Sequence, residues 1–245
     1  MSPPIASSKE FREQIADNIA EIRRRISEAA KRAGRNSDDI VLMGVTKTQP
    51  AEKIIAAYEA GLRCFGENRV QEFAAKREQL TGLKDATFAL IGQLQSNKVN
   101  KAIDLFSAIH SIDSLRLAER INAAMEHSQK EPLPVAIEIN TGDPAKAGLS
   151  PESSELEQLL NAAPRLPHIR IKGLMTIPPF TPNPEGAHPY FRRLRELRDS
   201  IARRGLPGIE VDLLSTGMSH DFEVAIEEGS TCVRVGTAIF GERPK

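Results

Sequence analysis

Apolar residues recur at steps of three and four between residues 11 and 33, and short apolar runs recur through the rest of the chain. The first pattern places Phe11, Ile15, Ile19 and Ile22 on one face of a helix. This spacing is typical of an amphipathic helix. We therefore expect a helix over about residues 9–34, with Gly34 at its end.

Eight short apolar, β-branched runs follow, and helical patterns separate them. We predict strands at residues 40–46, 64–66, 88–92, 105–112, 135–140, 169–177, 211–216 and 231–241. Strands that are apolar on both faces and alternate with helices indicate a parallel sheet covered by helices. Eight such units in 245 residues is the count of a (β/α)8 barrel, and an open doubly wound sheet is the alternative.

The two ends of the chain favour the barrel. The chain stops a few residues after the eighth predicted strand, so we expect no helix to cover that strand. The helix at residues 9–34 precedes the first strand, and closure would let it fill the missing place. We therefore predict one α/β domain over residues 1–245, a single TIM-type barrel at about residues 40–242 with an additional N-terminal helix.

Composition and charge exclude several classes of function. The chain has 33 basic and 33 acidic residues, so it lacks the net positive field that draws proteins to nucleic acids or anionic membranes. Cys64 and Cys232 lie in apolar runs without metal-ligand spacing, which is typical of reduced core thiols in intracellular proteins. No apolar run has the length of a membrane span, and the first residues lack a signal-peptide core.

We therefore expect a cytoplasmic protein without a metal site and without nucleic-acid or membrane partners. No long exposed apolar stripe is visible, so we also expect a monomer.

Polar, small and cationic residues follow the predicted strands, at the ends that converge in a barrel. They are Lys47, Glu67, Asn68, Gln93, Gln95, Ser111, Asp113, Asn140, Met175, Ser215, Gly217, Ser219, Arg234, Gly236 and Thr237. The segments STGMS (215–219) and RVGT (234–237) put glycine and hydroxyl residues after strands seven and eight, where barrels commonly hold phosphate. The alternative is that Ser219 only caps a helix and Gly236 only serves packing.

The apolar strand VLMGV delivers a single lysine, Lys47, to its end. A barrel would put Lys47 and Arg234 in one cavity, where like charge and partial desolvation favour a neutral amine. A neutral lysine amine condenses with aldehydes. Arg234 has apolar neighbours and needs an acceptor or anion, and pairing with a carboxylate such as Glu138 is the structural alternative. Pyridoxal 5′-phosphate (PLP), an aldehyde that carries a phosphate, would account for all these features.

Several longer motifs resemble the YggS/PROSC-type pyridoxal 5′-phosphate homeostasis proteins. The resemblance covers roughly residues 10–242 and rests on VTKTQP, FGENRVQE (65–72), IGQLQSNK (91–98), HSIDS (110–114), EIN followed by KAG (138–148), GLMTIP (173–178) and STGMSHDFEVAIEEGSTCVRVGTAIFG (215–241). It implies the barrel fold of the alanine racemase N-terminal domain (fold type III) and PLP as cofactor.

The resemblance also implies roles for individual residues. Lys47 would be the Schiff-base lysine, and Arg234 would lie near the pyridine nitrogen. The remaining cofactor-binding residues would be Ser219, Gly236 and Thr237 around the phosphate, with Asn68, Ser215 and Met218 lining the pocket. Two positions depart from the family pattern. Ala89 stands where the family has a histidine, so no residue at this position can perform the role of that histidine. Thr216 replaces a methionine, which should only reshape the pocket.

For function, the resemblance implies a protein of PLP homeostasis without catalytic residues. Such a protein would hold PLP as a reversible Schiff base and buffer it or deliver it in transient contacts with PLP-dependent apoenzymes. A cation at the pyridine nitrogen disfavours its protonation and weakens the ring as an electron sink. A two-base racemase also needs a second acid or base, and neither Tyr58 nor Tyr190 falls at a strand end. A PLP-dependent amino-acid racemase of low activity and a cofactor-free Schiff-base aldolase are the alternatives.

Overall fold

Eight parallel strands close into a barrel, in sequence order, in the computed structural model, which describes residues 8–143 and 146–242. Closure is made by β1 and β8, with Val41 opposite Cys232 and Gly44 opposite Val235. The strands are β1 (Val41–Val45), β2 (Cys64–Glu67), β3 (Thr87–Leu90), β4 (Ala108–Ile112), β5 (Leu133–Glu138), β6 (Ile169–Met175), β7 (Ile209–Ser215) and β8 (Cys232–Val235). The predicted (β/α)8 architecture is confirmed, and the open sheet is excluded.

Helices surround the barrel, and the first of them precedes β1. In the described part of the chain they are α1 (Ser8–Arg32), α2 (Ala51–Glu59), α3 (Val70–Lys76), α4 (Val99–Leu105), α5 (Leu115–Ser128), α6 (Ser154–Ala162), α7 (His188–Arg204), α8 (Phe222–Glu227) and α9 (Thr237–Phe240). The apolar face of α1 is buried through Ile15, Ile19, Ile22 and Ile26. Because α1 packs against α2, α8 and α9, it covers the seam between β1 and β8, as the closure argument predicted.

The eighth strand is shorter than the sequence predicted. We expected a strand over residues 231–241, but β8 ends at Val235 and α9 follows it. Gly236 turns the chain at φ −111° and ψ −79°, and its carbonyl accepts the N–H groups of Ile239 at 2.9 Å and Phe240 at 3.0 Å. A short helix that the sequence did not predict therefore follows the last strand, but it is only four residues long, and α1 covers the seam beside that strand.

Other boundaries also differ from the prediction, most of them by one or two residues. The fourth strand begins at Ala108 and not at residue 105, because Leu105 is the last residue of α4. Helix α1 ends at Arg32, and Gly34 follows with a left-handed φ of +65°.

An apolar cluster occupies part of the barrel interior. It consists of Met43, Val45, Ala89, Ile91 and Cys232, and the half-buried Cys64 packs against it. Both cysteines are free thiols, and burial raises the pKa of the Cys232 thiol to about 12. Ala89, the first departure from the family motif, therefore lies among apolar side chains.

Two further observations concern the whole described range. Residues 8–143 and 146–242 contain no group of three or more metal-ligating side chains. None of the helices described here is both long enough and apolar enough to cross a bilayer.

Candidate functional site

A cavity of about 210 Å³ lies at the mouth of the barrel, where the strands end. Seven of the eight residues predicted to bind a cofactor line it, and Ser215 is the exception. Lys47 is half-buried in this wall. The full lining consists of Val45, Lys47, Asn68, Ile91, Ile177, Met218, Ser219, His220, Arg234, Gly236 and Thr237.

A buried ion pair holds the residue before Lys47. Lys76 Nζ lies 2.7 Å from Glu67 Oε1, and both side chains are buried. Thr46 Oγ1 donates to the same carboxylate oxygen at 2.5 Å, and Lys76 donates to the Thr46 carbonyl at 2.9 Å. Burial raises the pKa of Glu67, and the charge of Lys76 opposes that rise. The ion pair thus fixes both the side chain and the carbonyl of Thr46.

The residue after Lys47 is also restrained. Thr48 has a left-handed φ of 62°, an uncommon conformation for a β-branched residue. Its N–H donates to a carboxylate oxygen of Glu72, which also lies 3.4 Å from Lys76 Nζ. Helix α3 therefore anchors both neighbours of Lys47, which sets the direction in which the lysine leaves the backbone.

The turns after β7 and β8 meet at Ser219. Its hydroxyl oxygen accepts the N–H of Gly236 at 3.3 Å and of Ala238 at 3.4 Å. Gly217 lets the turn after β7 pack closely against α8, because it has a φ of +91° and a Cβ there would lie 2.5 Å from the Cβ of Ala225. A hydroxyl and two backbone N–H groups are therefore grouped on one side of the cavity, and these are the groups that commonly bind phosphate.

Arg234 is 3% exposed and is held by uncharged oxygens. Its Nη1 donates to the carbonyl and, at 2.9 Å, to the hydroxyl of Ser215, and its Nη2 donates to the Thr176 carbonyl at 2.7 Å. No carboxylate of the described residues forms an ion pair with it, so the alternative pairing with Glu138 is not made. Burial lowers the pKa of Arg234, but a guanidinium keeps its charge in proteins. Its Nε–H has no hydrogen-bond partner among the described residues, and Arg234 is one of the residues that line the cavity.

Ser215 lies beneath the cavity and not in its wall. It is fully buried, and its hydroxyl lies 3.2 Å from Nδ1 of His110. Burial, followed by the charge of Arg234, lowers the pKa of His110 to about 3, so this imidazole is neutral. Ser215 therefore orients Arg234 from below, which differs from the expectation that it lines the pocket.

Four lining residues were not singled out from the sequence: Val45, Ile91, Ile177 and His220. His220 Nε2 lies 3.0 Å from the Thr181 carbonyl, and the ring of Phe180 lies 5.4 Å from the His220 ring. The position of His220 directly after Ser219 was the available signal. Val45, Ile91 and Ile177 are apolar residues near strand ends, and their type alone does not distinguish a cavity wall from core.

Comparison with known proteins shows the family. The alanine racemase N-terminal domain family matches residues 13–244 of the chain. The pyridoxal phosphate homeostasis protein of Aquifex aeolicus is 45% identical over 229 residues, with 93% of this chain and 97% of the relative covered. The chain belongs to the pyridoxal phosphate homeostasis protein family.

Two solved structures are similar to this barrel. A protein of unknown function from Bifidobacterium adolescentis has a TM-score of 0.88 and 36% identity, with 98% of each chain covered. PipY of Synechococcus elongatus, solved with PLP bound, has a TM-score of 0.79 and 36% identity, with 93% of this chain and 100% of PipY covered. The fold that the resemblance implied is confirmed, and both of these solved proteins share it.

Proposed function

We propose that the chain binds PLP in the barrel-mouth cavity, holds it as a reversible Schiff base on Lys47, and buffers or delivers it in intracellular PLP homeostasis. One observation carries the proposal: a single cavity joins Lys47 to the phosphate-type turns at Ser219, Gly236 and Thr237. The name of the Aquifex aeolicus relative and the PLP bound to PipY support the choice of ligand.

The donor set fits each part of PLP. The cofactor supplies an aldehyde, with which a lysine amine condenses with loss of water. Lys47 presents that amine, while the turns at Ser219 and Gly236, already joined by a hydrogen bond, line the side of the cavity that would take the phosphate. Arg234 lines the same cavity, and a guanidinium is a donor for an acceptor such as a pyridine nitrogen. Asn68 lines the same cavity, and its buried Oδ1 has no hydrogen-bond partner among the described residues.

The surroundings of Arg234 favour a binder over a racemase. Its guanidinium is a permanent cation, so a ring nitrogen beside it stays unprotonated and the ring withdraws electrons weakly. Neither tyrosine lines the cavity. The Tyr58 hydroxyl donates to Asp85 on the surface, and Tyr190 packs beside Gly142. The second acid or base of a two-base racemase is therefore not supplied by a tyrosine, and we assign no catalytic residue.

Reduction with borohydride tests the proposal. The purified chain should be yellow when loaded with PLP, and borohydride should fix the label on the peptide that contains Lys47. Lys47→Ala should lose the fixed label, while Lys84→Ala, an exposed lysine outside the cavity, should keep it. A label on another peptide would refute Lys47 as the Schiff-base lysine. A chain that stays colourless and does not bind added PLP would favour the cofactor-free aldolase. Loss of optical activity in L-alanine would show racemase turnover.

The proposal extends to delivery. We propose that a monomeric chain in the cytoplasm transfers PLP to apoenzymes through transient contacts. The balanced charge of the chain supports short-lived rather than electrostatically held complexes. Sedimentation should give one protomer of 26.9 kDa. The loaded chain should also activate an apoenzyme faster than free PLP supplied at the concentration the chain releases, and equal rates would exclude direct delivery.

A further inference from the structure

A second cavity lies beside the first, at the ends of β2 and β3. We call it the lateral cavity; it measures about 370 Å³ and is lined by Asn68, Arg69, Val70, Gln71, Gly92, Gln93, Gln95 and Lys98. All eight residues come from the motifs FGENRVQE and IGQLQSNK. Only Asn68 also lines the barrel-mouth cavity, so this residue borders both spaces. Of these two motifs, the proposed PLP site uses Asn68 and Ile91 alone.

The wall between the two cavities is built by close backbone packing. A Cβ on Gly92 would lie 2.3 Å from the Asn68 carbonyl oxygen, so a larger residue at position 92 would force the segments apart. Ser111 Oγ donates to the Gly92 carbonyl at 2.8 Å, and the Ile91 N–H donates to the Glu67 carbonyl at 2.9 Å. The lateral cavity is therefore held in shape by strands, although its outer residues are exposed.

The lining of the lateral cavity has the chemistry of an anion site. It contains two cations, Arg69 and Lys98, and four side-chain amides, but no carboxylate. Neither cation forms a side-chain hydrogen bond or ion pair with any residue in the described ranges. Neighbouring Lys76, in contrast, is paired with Glu67 and Glu72. Two uncompensated cations in one concave, polar space raise the local concentration of anions.

We infer that the lateral cavity binds a small oxyanion, the carboxylate or phosphate group of a metabolite. A guanidinium presents paired N–H donors that match such a group, and the Lys98 ammonium adds a point charge. The amides of Gln71, Gln93 and Gln95 can bond further polar groups of the same molecule. This inference does not require PLP to be bound, because none of the oxyanion contacts involves Lys47 or Ser219.

Residue-resolved titration tests the inference on the full chain labelled with ¹⁵N. The probes are inorganic phosphate and malonate, with sodium chloride at matched ionic strength as the screening control. Saturable amide shifts are expected at Gly92, Gln93 and Lys98. The double variant Arg69→Gln/Lys98→Gln should weaken binding at least tenfold. The matched variant Arg165→Gln/Lys101→Gln, two exposed cations outside the lateral cavity, should leave the affinity unchanged.

The outcomes distinguish a phosphate ligand from a carboxylate ligand, and the lateral cavity from the barrel-mouth cavity. Saturation by phosphate alone supports a phosphate ester as the ligand, and saturation by malonate alone supports a carboxylate. Shifts confined to Gly236 and Thr237 would overturn the inference, because phosphate would then occupy only the barrel-mouth cavity. Shifts reproduced by chloride, or an affinity unchanged in the Arg69→Gln/Lys98→Gln variant, would overturn it too. The Lys47 labelling result is independent of all these outcomes.

Discussion

At the scale of single residues, Thr216 carries a buried hydroxyl that is unpaired within residues 8–143 and 146–242. The residue is 2% exposed, and its Oγ1 has no hydrogen-bond partner among the described residues. Burying an unpaired hydroxyl costs about 1–3 kcal/mol. The resemblance places a methionine at this position, so the departure replaces an apolar side chain with a polar one in an enclosed space.

We expect Thr216→Val to raise the free energy of unfolding by about 1 kcal/mol, because valine has the same shape and no polar atom to desolvate. Urea unfolding followed by circular dichroism measures the change. Thr176→Val is the matched control, since Thr176 Oγ1 donates to the Ile139 carbonyl at 2.7 Å. The free energy of unfolding of Thr176→Val should fall by about 1–3 kcal/mol. A loss of stability in Thr216→Val would mean that its hydroxyl is satisfied.

Barrel topology predicts which site residues lie together at the mouth. It does not predict how far each side chain lies from the mouth. Alternation of strands and helices brings all strand ends to one mouth, so Lys47, Ser219 and Thr237 could be expected together. Ser215 is buried and hydrogen-bonds to Arg234, but only Arg234 lines the cavity. The period of two in a strand gives the face and not the distance from the mouth. His110 as the neighbour of Ser215 depends on pairing across the barrel, which no local pattern encodes.

At the scale of elements, the ion pair of Glu67 and Lys76 joins β2 to α3 and fixes the turn between β1 and α2. Sequence reasoning placed Glu67 at a strand end, but it gave no partner. Lys76 reads as the basic end of a surface helix, and it is 7% exposed only because α3 packs over the turn after β1.

We expect Lys76→Met to lower the free energy of unfolding by about 3–5 kcal/mol at neutral pH, because it leaves the Glu67 carboxylate buried without its cation. Chemical unfolding measures this loss. The deficit should shrink as the pH falls, since burial already raises the pKa of Glu67 and its protonated form needs no counter-ion.

The double variant Glu67→Gln/Lys76→Met separates an unpaired charge from lost packing. It should recover most of the stability, because replacing a whole buried pair costs little compared with removing one partner. If the double variant is as unstable as Lys76→Met, the aliphatic stem of Lys76, and not its charge, carries the contribution.

The end of β8 is a boundary that the hydrophobic pattern of the sequence cannot predict. TCVRVGTAIFG is a nearly continuous apolar run, and periodicity does not separate a strand from a short helix in such a run. The break occurs at Gly236, where an αR-like conformation starts a helix whose first N–H groups meet Ser219. That contact comes from the turn after β7, so the boundary of β8 depends on tertiary structure.

At the scale of the whole molecule, closure was predictable and the interior charges were not. The count of eight units and the unpaired first helix were enough to predict the barrel, and the pairing of β1 with β8 confirms it. The barrel also encloses His110, Glu138 and Arg234, whose ionisation depends on one another. Burial and the charge of Asp113 raise the pKa of Glu138 to about 7, and Arg234 opposes that rise.

His110 and Glu138 should give opposite contributions to the free energy of unfolding as the pH changes. His110 has a pKa of about 3 when folded and 6.5 as its ordinary value, so the unfolded chain binds the extra proton and acid destabilises the fold between these values. Glu138 has a pKa of about 7 when folded and 4.5 as its ordinary value, so the folded chain binds the extra proton. Its stabilising contribution is present below pH 4.5 and is lost as the pH rises through 7.

Between pH 4.5 and 6.5 the two contributions should largely cancel. Glu138→Gln removes one of them, so its free energy of unfolding should fall about 1.4 kcal/mol per pH unit more steeply on acidification than that of the parent chain. Above pH 7 the variant should be the more stable protein, because the parent then buries an ionised carboxylate. Urea unfolding across pH 4.5–8 measures both effects. Parallel curves for the two proteins would mean that Glu138 titrates normally, and that Arg234 compensates its charge inside the barrel without an ion pair.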